Sequence, residues 1–469
     1  MQPFSTEETL EDFYKSSQEN LQKYSLFELL GNSLIHSKLS GQTLRQIQER
    51  LEHYREQIKR FPNSVLFCNH LTRLSLKQAE TLAQFSDQKT DLSSIPEQNI
   101  FLDGLKQLDE SEANALTSFK GTILSFNALE KIDEATAKAV GLLKCKYLSL
   151  NGLKKIDESI AKALSSFEGE GFSLDGLKQV NETIAKILFK KKFSLSLNGI
   201  EKLNEGLARI LGDRQGRNLV LNGIKQIDEE TAKYLSVFKG SALFLNGLEK
   251  MDEVIAKILA QTKTSWLSLN GVKQINEHIA QALASFQGNS LHLCGLQKID
   301  EATAKALCLF KGSLFLNGLK ELDEKVAKAI TFFESDIPQI DLAKEPEENF
   351  EKALALIRES GQQRTLYLSG IEKLDKNTAK GLALFRGKSL SLEGIKSIDE
   401  SVAEILVSGE CSVIWLDGIE EISEKTAQAL TLFKGKMLAL SGVKRIEESA
   451  RKILVPFQKK ILIGNGKNV

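Results

Sequence analysis

The sequence predicts an α/β solenoid, a parallel sheet of short strands each followed by a short helix. Two observations predict it. Residues 148–167, LSLNGLKKIDESIAKALSSF, begin with the strand alternation of Leu148 and Leu150 and end with Ile160, Ala161 and Leu164 on one helical stripe. Nearly the same text returns at 219–238 and at 314–333. A unit this short cannot bury its own apolar face, so neighbours must stack and share one core.

The Gly of an LxLxG pattern anchors the repeat. It stands at Gly104, Gly152, Gly176, Gly199, Gly223, Gly247, Gly271, Gly295, Gly318, Gly370, Gly394, Gly418 and Gly442, with Ala128 in the same slot of one unit. The gap between Gly318 and Gly370 is expected to hide a degenerate unit. Its strand would be 340–342, its Gly slot Lys344 and its helix 349–357. A half unit, LIGNG (462–466), closes the series, so roughly fifteen units are expected.

Each element of the unit has a reason. LxL is the strand. Asn-Gly ends it, because both residues tolerate positive φ. The helix opens at Asp109, Asp133, Asp157, Asn181, Asn204, Asp228, Asp252, Asn276, Asp300, Asp323, Asn349, Asp375, Asp399 and Ser423, all residue types that cap an N-terminus well. Glu447 departs from this set. A row of Glu (Glu134, Glu158, Glu182, Glu205, Glu229, Glu253, Glu301, Glu324) precedes a row of Lys or Arg by four residues, which predicts a salt-bridged outer face; the alternative is an ion-binding ladder. Small Ala residues let helix and sheet approach. A Phe near the helix end (Phe119, Phe167, Phe238, Phe286, Phe310, Phe385, Phe433) plugs the space between units, and a Gly such as Gly240 or Gly312 ends the helix.

Repeated LxL strands backed by short helices resemble the irregular leucine-rich-repeat proteins of bacteria. The usual family pattern, LxxLxLxxNxL, places Asn three residues after the second strand Leu, where it forms a buried ladder. Here Asn151, Asn198, Asn222, Asn246, Asn270 and Asn317 follow that Leu directly, which assigns them to the strand-ending turn. The resemblance implies a right-handed β/α horseshoe with its parallel sheet on the concave face and its helices on the convex face. It also implies partner binding on the concave sheet and no catalysis.

Residues 1–70 differ, and their apolar spacing suggests helices that cap the solenoid or bind a partner. Leu44, Ile47, Leu51, Tyr54 and Ile58 form the clearest seam. Residues 71–94 read as a decayed repeat without its Asn-Gly, plus a linker, and 95–469 as the solenoid proper.

With 62 basic and 62 acidic residues the chain is neutral, which argues against nucleic-acid binding and against attachment to anionic membranes. No apolar run is long enough to span a bilayer, and the acidic start MQPFSTEETLEDFY lacks a secretory signal core. The expected location is the cytoplasm, or outside the cell without a cleaved leader. The cysteines Cys68, Cys145, Cys294, Cys308 and Cys411 share no metal-ligand spacing and read as reduced, buried thiols. No cofactor, no metal and no catalytic residue is expected, and the chain is read as a monomer.

The residue between the two strand leucines faces away from the helices. Ser dominates this position in the first half. Phe244, His292, Phe315, Asp341, Tyr367 and Trp415 occupy it later, and these six are the expected partner-binding residues. Exposed aromatics in a row suit a protein hot spot; the alternative is that they pack on one another as ordinary strand formers. The expected function is a non-catalytic protein-binding scaffold, with bacterial effector or adaptor as the roles open to it. The alternative is a self-assembling solenoid without a dedicated ligand.

Overall fold

A computed structural model describes residues 65–69, 71–84, 98–190, 192–331 and 364–463. The expected helices of residues 1–64 and the expected unit at 340–357 lie outside these. The chain divides into two compact units, Met1–Gly247 and Leu248–Val469.

In the first unit, strands β1 (Val65–Phe67), β2 (Asn99–Phe101), β3 (Ile123–Ser125), β4 (Tyr147–Ser149), β5 (Gly171–Ser173), β6 (Ser194–Ser196), β7 (Asn218–Val220) and β8 (Ala242–Phe244) pair in sequence order. All pairings are parallel and in register, with Leu124, Leu148, Phe172, Leu195 and Leu219 in one row. Leu219, Leu221, Ile224, Ala232 and Leu235 of one unit are each 0% exposed, so strand, turn and helix all feed the same core. Each such Leu contributes about 1.5–3 kcal/mol on burial.

The second unit continues the pattern with β9 (Trp266–Ser268), β10 (Ser290–His292), β11 (Ser313–Phe315), β12 (Thr365–Tyr367), β13 (Ser389–Ser391) and β14 (Val413–Trp415). β15 (Glu421–Ile422) and β17 (Arg445–Ile446) pair as a separate two-stranded sheet, while β16 (Met437–Leu440) and β18 (Ile461–Ile463) complete the main sheet.

The helix caps follow the sequence. Asp228 Oδ1 accepts from Thr231 N at 2.8 Å, and the equivalent bond forms at Asp109, Asp133, Asp157, Asn181, Asn204, Asp252, Asn276, Asp300, Asp323, Asp375, Asp399 and Ser423. Glu447 makes no side-chain cap. Ion pairs Glu134–Lys138, Glu229–Lys233 and Glu301–Lys305 form at 2.7, 2.8 and 2.7 Å on exposed helix faces. The seven Phe plugs are buried.

Four expectations are corrected. First, the glycines serve close approach rather than positive φ. At Gly223 a Cβ would lie 2.1 Å from Asn198 O and 2.6 Å from Ile200 O, both rigid backbone of the preceding unit. Gly152, Gly223, Gly318 and Gly394 all have φ outside the left-handed region. Gly240 likewise makes room for the Phe238 ring, 2.2 Å from its would-be Cβ, rather than ending the helix, which stops at Ser236.

Second, the asparagines do more than close turns. The turn at Leu221–Ile224 is closed by its backbone, Ile224 N–H to Leu221 O at 3.2 Å. The Asn side chain instead accepts from the next unit: Asn198 Oδ1 from Asn222 N at 2.9 Å, and Asn222 Oδ1 from Asn246 N at 3.0 Å. The same bond runs Asn69–Asp103–Asn127–Asn151–Asp175–Asn198 at 2.8–3.0 Å. An asparagine ladder therefore exists, at a different position in the unit from the usual family pattern.

Third, β11 pairs directly with β12, Phe315 opposite Tyr367, so no strand from 340–342 stands between them. The ladder also skips the gap, since Asn317 Oδ1 accepts from Ser369 N at 3.0 Å. The 52-residue step from Asn317 to Ser369 thus keeps both the strand register and the ladder bond. Fourth, the decayed first repeat starts earlier than expected. Its strand is Val65–Phe67, it keeps a ladder residue in Asn69, and Ser75 with Gln78 forms a capping box for the helix Leu76–Ala83.

Candidate functional site

Period-2 geometry puts the outward strand residues on the sheet face away from the helices. In the first unit this face is largely occupied by the ladder. Ser149 Oγ donates to Asn127 Oδ1 at 2.7 Å, Ser173 Oγ to Asn151 Oδ1 at 2.6 Å and Ser196 Oγ to Asp175 Oδ1 at 2.6 Å. Ser125 Oγ donates likewise to Asp103 Oδ1. The Ser row is thus an internal bonding partner of the turns. Burial pushes the carboxyls of Asp103 and Asp175 above the usual range, while hydrogen bonds from Ser125 and Ser196 pull them partly back. Phe244 also lies in this unit, half-buried at the end of β8.

The second unit brings four expected residues onto one face. Register sets His292 beside Phe315 and Phe315 beside Tyr367. Their rings stack with centroids 3.9 Å apart in both pairs, at interplanar angles of 8° and 7°. Parallel in-register strands sit about 4.8 Å apart, so a small tilt brings adjacent rings into stacking distance. Packing of strand aromatics on one another therefore describes the contacts within this trio, while all three stay half-buried. His292 is a neutral imidazole near pH 7, since burial lowers its pKa to about 4. Trp415 stands two strands from Tyr367, with Ser391 of β13 between them. Its indole Nε1–H donates to Ser389 Oγ at 2.7 Å, which fixes the ring against β13. Asp341 lies outside the described residues, and the place beside Phe315 that it was expected to hold belongs to Tyr367.

Three residues of this face were missed. Trp266 is 48% exposed and lies 5.9 Å from His292 between ring centroids, extending the aromatic row. Its position two residues before Ser268 was the available signal, because period 2 puts both on one face. Glu393 and Asp417 occupy ladder positions beside the row. Ser391 Oγ donates to Glu393 Oε1 at 3.0 Å, and Asp417 Oδ1 accepts from Ser441 N at 2.6 Å. Burial, then the negative charge of Glu393, raises the pKa of the Tyr367 hydroxyl.

The five thiols are buried and form no disulfide, and burial pushes Cys145 up to about 12 and Cys411 up to about 11. Among the described residues no group of three or more His, Cys, Asp or Glu is placed to hold a metal ion. No described helix is long and apolar enough to cross a membrane.

No protein-family model matches the chain, and no curated protein matches it. Solved structures resemble it at low identity. A TLR13–ssRNA13 complex is 16% identical with a TM-score of 0.43, the match covering 80% of this chain and 53% of that one. The Toll–Spatzle complex of Drosophila is 12% identical with a TM-score of 0.41, covering 81% and 48%. An internalin (inlF) of Listeria monocytogenes is 15% identical with a TM-score of 0.38, covering 84% and 98%. The chain spans about half the length of the first two. The in-register LxL strands, the side-chain ladder that ties many turns to the next and the short helices between strands give the described residues the fold of a leucine-rich-repeat-like solenoid.

Proposed function

We propose that the protein is a non-catalytic scaffold that binds a protein partner on the outward sheet face of its second unit. The observation that carries this reading is the aromatic row Trp266, His292, Phe315, Tyr367 and Trp415, which stays partly exposed on a surface fixed by strand register. Such rings are rigid apolar anchors that lose little entropy on binding. Phe244, of the first unit, belongs to the proposal as an outward residue of the same repeat position. A role as adaptor or bacterial effector is part of the proposal, motivated by the repeat pattern alone.

The test compares the wild-type chain with the triple variant Phe315→Ala, Tyr367→Ala, Trp415→Ala as parallel baits for a displayed peptide library. Lys257→Ala/Lys305→Ala on the helix face serves as control. Peptides held by wild type and control but weakened a hundredfold or more by the triple variant, with an intact thermal melt, support the site. Peptides that bind all three equally, or a triple variant that melts far earlier, show the row to be packing. Light scattering of the wild-type chain separates the scaffold from a self-assembling solenoid, whose mass would grow with concentration.

A further inference from the structure

The loops that lead from strand to helix carry charges of their own. Where such a loop has Lys and the next has Glu at the same place, the two pair across the seam. Lys178 pairs with Glu201 at 3.6 Å in the first unit, and Lys320 with Glu372 at 3.8 Å and Lys444 with Glu420 at 3.1 Å in the second. The loops after β2, β3 and β4 depart from this. They bring Lys106, Lys131, Lys154 and Lys155 around one groove of about 670 Å³, with Glu130 as the single carboxylate in its lining. All four lysines are exposed, and none of them makes an ion pair with a described residue. Four ammoniums against one carboxylate leave the groove with a net three positive charges. Lys154 N–H donates to Glu130 O at 3.2 Å, which fixes one loop on the next. Lys131 and Lys155 hold the same place in these two loops, so like charges stand about one strand spacing, ~4.8 Å, apart at the backbone. The groove lies where Ala128 occupies the Gly slot. In the next loop a Cβ on Gly152 would meet Leu129 O at 2.4 Å, so a side chain in this slot needs the turns to part around it.

We propose that this groove binds a compact soluble polyphosphate, a small polar molecule with two or more adjacent phosphate groups. The site is separate from the aromatic row and does not depend on the scaffold reading. An ammonium is a compact point charge that pairs with phosphate oxygens without demanding a planar partner. The four stems rise from three successive loops, two repeat steps or roughly 10 Å from first to last, so linked phosphates can engage all of them where a single anion cannot. The lining holds no aromatic ring and no apolar side chain larger than the Ala128 methyl. A nucleobase would find nothing to stack on there, and an acyl chain no apolar wall. Charges of one sign converging on a cleft raise the local concentration of the opposite ion. The neutrality of the whole chain does not oppose this, because at about 0.15 M salt charges beyond roughly 8 Å are largely screened and the groove's own residues decide.

The experiment is titration calorimetry of the full chain at about 0.15 M salt with inorganic tripolyphosphate, and with sulfate as a single anion. Tripolyphosphate is expected to bind, and sulfate about tenfold or more weakly. Lys154→Gln/Lys155→Gln and Lys106→Gln/Lys131→Gln should each lose about tenfold or more in tripolyphosphate affinity with an unchanged thermal melt, because these side chains are exposed. Lys250→Gln/Lys298→Gln, the same change of charge in the corresponding loops of the second unit, should bind as wild type. A uridine oligonucleotide and vesicles carrying a bisphosphorylated phosphoinositide test the other sources of phosphate, and both should bind more weakly than tripolyphosphate. No binding of tripolyphosphate, equal affinity for sulfate, or equal losses in the groove and control variants overturns the proposal. Tighter binding of the oligonucleotide or of the vesicles overturns it as well, and assigns the lysines to RNA or to a membrane surface.

Discussion

Asn222→Ala tests the ladder most directly. Asn222 Oδ1 is the acceptor for Asn246 N–H at 3.0 Å, and nothing in the turn itself replaces it, because the turn closes through Ile224 N–H and Leu221 O. Truncation leaves a backbone donor at the seam between two repeats without its partner. A buried donor stripped of its acceptor costs about 1–3 kcal/mol. Asn222 and Asn246 are half-buried, so water recovers part of this, and about 1.5 kcal/mol is expected. Asn222→Asp keeps the acceptor oxygen, as Asp175 does naturally for Asn198 N at 2.8 Å, and should cost clearly less. The assay is hydrogen exchange at the Asn246 amide together with urea denaturation. In a repeat array local opening precedes global unfolding, so exchange is the sharper readout. Faster exchange in Asn222→Ala with little change in Asn222→Asp is the expected pattern. Equal exchange in wild type and Asn222→Ala would refute the ladder as an energetic element.

Three further outcomes are expected. Gly223→Ala places a methyl against Asn198 O and Ile200 O and should destabilise by about 3 kcal/mol in urea; a wild-type midpoint would show that the seam yields, as it must around Ala128. For Asp175 the folded pKa lies above the unfolded value, so its contribution is fully present below pH 3.8 and is lost as pH rises through the folded pKa. Asp175→Asn should therefore raise the melting temperature at pH 7 and leave it unchanged at pH 3, with Asn198 Nδ2 keeping the bond it already donates to Ser196 Oγ at 3.1 Å. For His292 the folded pKa, about 4, lies below the unfolded 6.5, so stability is full above pH 6.5 and falls toward pH 4, by about 1.4 kcal/mol per pH unit at most. His292→Phe should flatten the melting profile in that window, and an unchanged slope would show that the imidazole stays hydrated.

The repeat was legible because each unit obeys the same local rules. LxL alternation, the cap residues from Asp109 to Ser423, the Glu–Lys spacing and the Phe plugs are all decided within about twenty residues, where backbone geometry and burial leave few choices. Sequence also placed His292, Phe315, Tyr367 and Trp415 on one face, since period 2 depends on nothing distant. The tertiary structure decided what happens between units. Whether Asn222 bonds within its turn or to Asn246, whether Gly223 bends the chain or admits a neighbour's carbonyl, and whether Phe315 lies beside residue 341 or beside Tyr367 each depend on a partner that sequence distance does not fix. Stacking supplies that partner: it holds the turns of neighbouring units within hydrogen-bond reach, turns the Ser row inward to the ladder, and lays the rings of successive strands face to face.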